Sequence, residues 1–149
     1  MELDSNDLGE VVSAVWSGML GVDMVATAAE ELPQPDDDVQ LTGCIHMSEG
    51  HDGSLLVRVP EPVAKELAAA MFALEVDELA DDDVVDALGE VTNMIGGNVK
   101  ALVGGDRLSL PSVTRGHRFD VVVPGSTLQA ETDVDSCGHH SRVLLLAHA

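Results

Sequence analysis

Apolar residues recur at Val84, Leu88, Val91, Ile95, Val99 and Leu102, in steps of four and three. At about 100° per residue these positions form one narrow stripe, which predicts a helix over about 82–103 with one face committed to a core. Asp81, Asp82 and Asp83 at its start and Lys100 near its end suit the helix dipole, and Gly104-Gly105 stops it. A stripe of this kind folds only against a second layer, so the rest of the chain has to supply one.

Its opposite face holds Asp86, Glu90, Asn93, Gly97 and Lys100, within roughly 80° of one another on the same arithmetic. Charged residues there need no explanation beyond solvation. Asn93 and the pair Gly96-Gly97 are different, because Asn is a poor helix former and each glycine costs about 1 kcal/mol relative to alanine. Local rules broken without visible compensation point to function. Glu90 and Asn93 lie three apart, so they project as neighbours. A carboxamide is no general base at neutral pH, but it donates and accepts at once and so holds a water in one orientation. Phosphoryl transfer needs mainly that kind of positioning. An outer helix face is no pocket, so it acts on a phosphate only by entering a partner's site.

Around this helix the pattern predicts a helix over 6–21, capped by Ser5, Asn6 or Asp7, and an undecided apolar stretch over 24–29. A loop follows over 30–38, with Pro33, Pro35 and three successive Asp. Strands at 39–47 and 54–59 make an antiparallel hairpin, and Pro62 opens a helix running to about 73. An acidic connector over 75–83 leads into the long helix. After it come short strand-like runs at 108–114, 118–123, 127–134 and 142–147, separated by turn signals. The expectation is one α+β domain with a largely antiparallel sheet. A weak internal echo aligns 11–15 with 84–88, which sets Ser17 against Glu90 and Leu20 against Asn93.

The 27 Asp and Glu against 7 Lys and Arg, a net charge of -20, repel nucleic acid and anionic membranes alike. That charge also predicts weak, salt-sensitive binding to any partner. Only Trp16, Phe72 and Phe119 are aromatic, so the core is aliphatic, with Met19, Met24, Met47, Met71 and Met94 read as fillers. No apolar run is long enough to span a bilayer and the first residues do not read as a secretory signal, which predicts a cytoplasmic chain with Cys44 and Cys137 as free thiols. Cys44, His46, His51, Cys137, His139, His140 and His148 invite a metal reading but lack zinc-site spacing, and the histidines read as loop residues of an acid-rich chain. The glycine pairs follow no strand, so a dinucleotide or P-loop reading fails.

The run Asp86-x-x-x-Glu90-x-x-Asn93, continued by Met94-Ile95-Gly96-Gly97-Asn98 and later by Leu110-Pro111-Ser112-Val113, resembles the signature of the CheC/CheX/FliY chemotaxis phosphatases, most closely the CheX branch. The resemblance implies a pseudo-two-fold arrangement of two long helices packed on antiparallel sheet, with one active face per chain and pairing as a homodimer through the sheets. It implies dephosphorylation of the aspartyl phosphate of a CheY-type receiver, Asn93 orienting the attacking water and Glu90 holding the receiver's lysine. Asp86, Gly97 and Lys100 would frame that contact with the partner. No cofactor of the chain's own is implied, since the Mg²⁺ belongs to the receiver. A non-catalytic module that binds a receiver or a flagellar component is the alternative.

Overall fold

The computed structural model describes residues 3–28, 39–117 and 119–148, so the loop expected at 30–38 lies outside the described residues. Helix α1 spans Ser5–Ser13 and continues as a π-helical stretch, Ala14–Met19. Asp4 caps it, in place of the three residues expected: the Asp7 N–H donates to the Asp4 carboxylate at 2.8 Å and the Asp4 N–H donates to Asp7 at 3.1 Å. Trp16 sits in the π stretch, fully buried, with its Nε1–H donating to Ser136 Oγ at 3.3 Å. The wider turn makes room for the indole between helix and sheet.

Strands β1 (Val25–Ala28), β2 (Gln40–Ser48) and β3 (Gly53–Pro60) precede helix α2 (Glu61–Phe72), a short 3₁₀ turn (Val76–Glu78) and the long helix α3 (Asp81–Val103). Of the undecided stretch at 24–29, Val25–Ala28 is thus a strand, β1. Strands β4 (Arg107–Leu108), β5 (Ser112–Gly116), β6 (Ser126–Ser136) and β7 (His139–His148) follow. All pair antiparallel in one sheet, in the order β1-β6-β7-β3-β2-β4, with β5 also on β2. This is the α+β architecture expected. The order is also palindromic. Hairpin β2–β3 takes β5 on its outer edge, hairpin β6–β7 takes β1, and the hairpins meet at β3–β7. A pseudo-two-fold axis therefore runs through the β3–β7 ladder, and α1 and α3 are the helices it exchanges.

Period-two alternation aims Leu41, Ile45 and Met47 of β2, Leu55, Val57 and Val59 of β3, and Val143 and Leu145 of β7 at the helices, all fully or nearly buried. Against them α3 buries Val84, Leu88, Val91, Ile95 and Val99. Leu102, the last member of the expected stripe, is 42% exposed, while Val103 beside it packs against the core. The closest approach is at Gly43, where an added Cβ would lie 2.0 Å from Thr92 Oγ1. Thr92 fills the place that Gly43 leaves empty, its hydroxyl donating to the Leu88 carbonyl at 2.7 Å.

Two strand expectations need correction. The run at 108–114 is split, since Ser109 bonds back to His46 through both its N–H (2.9 Å) and its Oγ (3.0 Å), and Pro111 has no N–H to continue the ladder. The run at 118–123 makes no strand over its described residues, 119–123. The edge of β2 is already taken by β4 and β5, and Arg58 instead holds this segment over the outer sheet face through the Phe119 carbonyl at 2.8 Å and Asp120 at 3.5 Å.

An ionic clasp fixes the start of α3. Arg115 on β5 bonds Glu61 at the start of α2 and lies 3.8 Å from Asp81, while Lys65 lies 3.5 Å from Glu61. The hydrogen bonds from Arg115 hold the Glu61 carboxyl below its ordinary pKa, against the opposing effect of burial. A depressed carboxyl pKa stabilises the fold above the unfolded value, and that stability is lost as pH falls through the folded value. Glu61→Gln is expected to lower Tm at pH 7 by no more than about 3 °C, given how modest partly screened pairs are. The gap to the wild type should close below about pH 4, where unfolded Glu protonates, in thermal melts across pH. Gly43→Ala is expected to cost about 1–3 kcal/mol in urea unfolding through overpacking, and Thr92→Ala in the same chain should recover part of it.

Candidate functional site

The outer face of α3 is set by what its inner face must bury. Asp86 and Glu90 are exposed, and Asn93, Gly97 and Lys100 are half-buried along the same ridge. The five residues singled out from the sequence thus share one face. The side chains of Glu90 and Asn93 have no hydrogen-bond or ion-pair partner among the described residues. An unsatisfied carboxamide beside a carboxylate, on a helix held rigid by its core stripe, is set up to meet polar groups of another molecule.

The two adjacent glycines have different reasons. Gly96 is buried, and a Cβ there would stand 3.0 Å from Ile45 Cγ2, so it serves the close packing of α3 on β2. Gly97 faces open space, with nothing within 4 Å of an added Cβ. Packing therefore explains the first and leaves the second unexplained. Lys100 lays its stem against Gly105, where an added Cβ would be 3.3 Å from Cγ, and so its position is tied to the end of the helix.

Leu110 is a neighbour that sequence reasoning quoted in a motif but gave no role. It lies in the break between β4 and β5, 90% exposed, while the next residue, Pro111, lies 3.8 Å from a Cβ placed on Gly89. An apolar point thus stands beside the start of the Glu90–Asn93 ridge. Its only sequence signal was a leucine before a proline in an otherwise polar turn.

The internal echo also changes. Strands β3 and β7 both begin directly after their turns, at Gly53 and His139, and Val57 pairs with Val143 across the axis. The two-fold then carries Gly43, paired with Val57, onto Thr132, paired with Val143. It carries Val113, paired with Gly43, onto Ala28, paired with Thr132. Two residues back along these edge strands, Pro111 falls on Ala26. A Cβ placed on Gly9 of α1 would lie 3.6 Å from Ala26, as one placed on Gly89 of α3 would lie 3.8 Å from Pro111. So Leu8-Gly9-Glu10-Val11 overlies Leu88-Gly89-Glu90-Val91. Glu10 answers to Glu90 and Ser13 to Asn93, in place of Ser17 and Leu20. The signal was a repeated tetrapeptide, hidden behind a longer but looser match.

On the outer face of the sheet Ser54 Oγ joins His46 Nδ1 (2.6 Å) to His148 Nε2 (2.8 Å), with Cys44 Sγ 3.9 Å from His46 Nε2. Burial raises the Cys44 pKa, which keeps it a thiol. Both cysteines are free.

Residues 41–134 match the family described as chemotaxis phosphatase CheX, a span that contains all five residues of the α3 ridge. The chain belongs to the CheX family. No curated protein matches it. Among solved structures, a chemotaxis protein CheX from Desulfovibrio desulfuricans superposes with a TM-score of 0.74 at 21% identity, covering 95% of this chain and 96% of that one. A CheX from Vibrio vulnificus gives 0.72 at 21% identity, covering 94% and 93%. The CheX-CheY-BeF3-Mg²⁺ complex from Borrelia burgdorferi gives 0.63 at 18% identity, covering 97% of each chain. At such identities the likeness is one of fold, and the CheX fold is the one described above. No helix among the described residues is long and apolar enough to cross a membrane.

If Gly97 is kept for what approaches the ridge and not for the fold, filling it should do the fold no harm. Gly97→Ala is expected to raise stability by up to about 1 kcal/mol in chemical denaturation, from helix propensity alone. Gly96→Ala should bring no such gain, because the new methyl presses on Ile45.

Proposed function

We propose that this CheX-family chain hydrolyses the aspartyl phosphate of a CheY-type receiver by placing the α3 ridge in the receiver's active site. The observation that carries the reading is the Glu90–Asn93 pair itself. Both side chains point outward, both lack partners within the described residues, and both lie in the span that matches the phosphatase family. The cocrystallised CheX and CheY of Borrelia burgdorferi make a receiver the natural partner class.

The division of labour follows from the chemistry of the two groups. Asn93 donates to and accepts from one water, fixing its lone pair in line with the bond between phosphorus and the receiver's aspartate oxygen. Water oxygen bonds to phosphorus, the acyl phosphate bond breaks, and inorganic phosphate and the free carboxylate leave. Glu90 forms a charge-assisted hydrogen bond with a receiver lysine, which orients the ridge. Asp86, Gly97 and Lys100 frame the contact, and Leu110 adds an apolar one. The Mg²⁺ is the receiver's, and this chain supplies no metal ligand to the reaction. The working unit is a homodimer that offers one Asn93 ridge per protomer.

Asn93→Ala is expected to slow receiver dephosphorylation by roughly 10²-fold or more, the scale on which loss of one positioned hydrogen-bonding group acts. Glu90→Ala should weaken receiver binding as well. The measurement is the lifetime of a phosphorylated receiver with wild type and with each variant. A lifetime that wild type leaves unchanged across CheY-type receivers overturns the phosphatase reading, and binding without acceleration turns the chain into an adaptor.

A further inference from the structure

The two-fold places a second ridge on α1, and its preservation is closer than fold symmetry requires. From Leu8 to Gly18 the exposure pattern repeats that from Leu88 to Asn98 at every position but one, where Ala14 is exposed and Met94 half-buried. Glu10 is exposed like Glu90, and Ser13 is half-buried like Asn93. Both lie in the regular α-helical part of α1, before the π stretch that begins at Ala14. The departures on the buried side come later. Trp16 replaces Gly96, so α1 carries a bulky ring where α3 lies close on its strand, and the π turn absorbs the difference.

The solvent side of α1 is open. Ser5, Glu10, Ser13 and Ala26 border a groove of about 720 Å³, and the side chains of Glu10 and Ser13 have no hydrogen-bond or ion-pair partner among the described residues. A solvated helix face explains an exposed Glu by itself. It does not explain why this Glu sits at the position the two-fold assigns to Glu90, inside an identical tetrapeptide, with the same glycine contact to an edge strand.

We propose that the α1 ridge is a second receiver-docking site that keeps the docking carboxylate and lacks the carboxamide, with Asn6, Ser17 and Leu20 where α3 has Asp86, Gly97 and Lys100. The proposal rests on the reading of the α3 ridge given above. Glu10 pairs with the receiver's lysine as Glu90 does, a bond whose strength comes from its charge and which needs no help from residue 13. Ser13 is one bond shorter in reach than Asn and carries one donor hydrogen on a single oxygen, so it cannot reach the phosphoryl group and hold a water with separate donor and acceptor atoms. The α1 ridge therefore binds and does not hydrolyse. The occupant is again a CheY-type receiver, because Glu10 and the exposed Val25 stand where α3 and its neighbouring edge have Glu90 and the exposed Leu110.

Two measurements on the full chain test this. In the first, Ser13→Asn is added to Asn93→Ala, and dephosphorylation of a phosphorylated CheY-type receiver is followed. Recovery of at least about tenfold over Asn93→Ala alone is expected, since the restored amide is the missing positioned group. In the second, the Glu90→Ala/Asn93→Ala chain is titrated with a CheY-type receiver activated by beryllofluoride and Mg²⁺. Residual binding is expected, and Glu10→Ala should then weaken it by about tenfold or more, as truncating one partner of a charged pair does. No recovery in the first, or no residual binding or no effect of Glu10→Ala in the second, overturns the α1 site. An inactive wild type is a separate outcome that overturns the phosphatase reading, and the titration still judges the α1 ridge alone.

Discussion

The ladder between β3 and β7 is the contact on which the rest of this molecule depends. Leu55 and Val57 face Leu145 and Val143 across it, buried beneath the helix layer, and each strand brings its own hairpin partner. Because the pairing is antiparallel, it relates the two hairpins by a two-fold axis without any further interaction. The helices follow from that geometry. Each must cover the aliphatic inner face of one hairpin, and each does so with a stripe of Val, Leu and Ile that leaves the opposite ridge free. The position of Asn93 in space is thus a consequence of which residues of α3 have to be buried.

A ridge behaves unlike a pocket. It cannot exclude water, shift the pKa of a general base by burial or bind a small molecule on several sides. What it offers is rigidity: side chains on a helix locked to a sheet at Gly43–Thr92 and clasped at its start by Arg115, Glu61 and Asp81. Such a surface adds a missing group to a site that another protein has already built. A partner-completed site needs few residues, and in the function proposed above two carry the chemistry. Everything else in the chain holds them still.

The long helix, its buried stripe and its outer face were legible in the sequence because α-helical periodicity is a strong local signal over six turns. The hairpins were legible from their turns. What stayed hidden depended on contacts distant in sequence. Residues 119–123 have strand composition but find the sheet edge occupied, and Leu102 keeps the helical period but is exposed while Val103 packs on the core. Gly96 and Gly97 look alike in sequence and differ only in what stands across from them. The internal repeat was misread for the same reason. Four apolar positions in five match between any two amphipathic helices, whereas the shorter Leu-Gly-Glu-Val repeat gains its weight from where Gly9 and Gly89 lie, over Ala26 and Pro111.

The exchange of edge strands carries one more consequence. Strand β1 follows α1 in the chain but pairs with β6, and β5 follows α3 but pairs with β2. Each half of the chain thus gives its outermost strand to the other, and neither half has a complete sheet by itself. That is the geometry of a domain-swapped pair whose two members happen to be tethered through the 73–80 connector. Local unfolding of one half exposes an open sheet edge on its sister, so the halves melt as one cooperative unit. The stability of α3's ridge is in this sense borrowed from strands that lie nowhere near it.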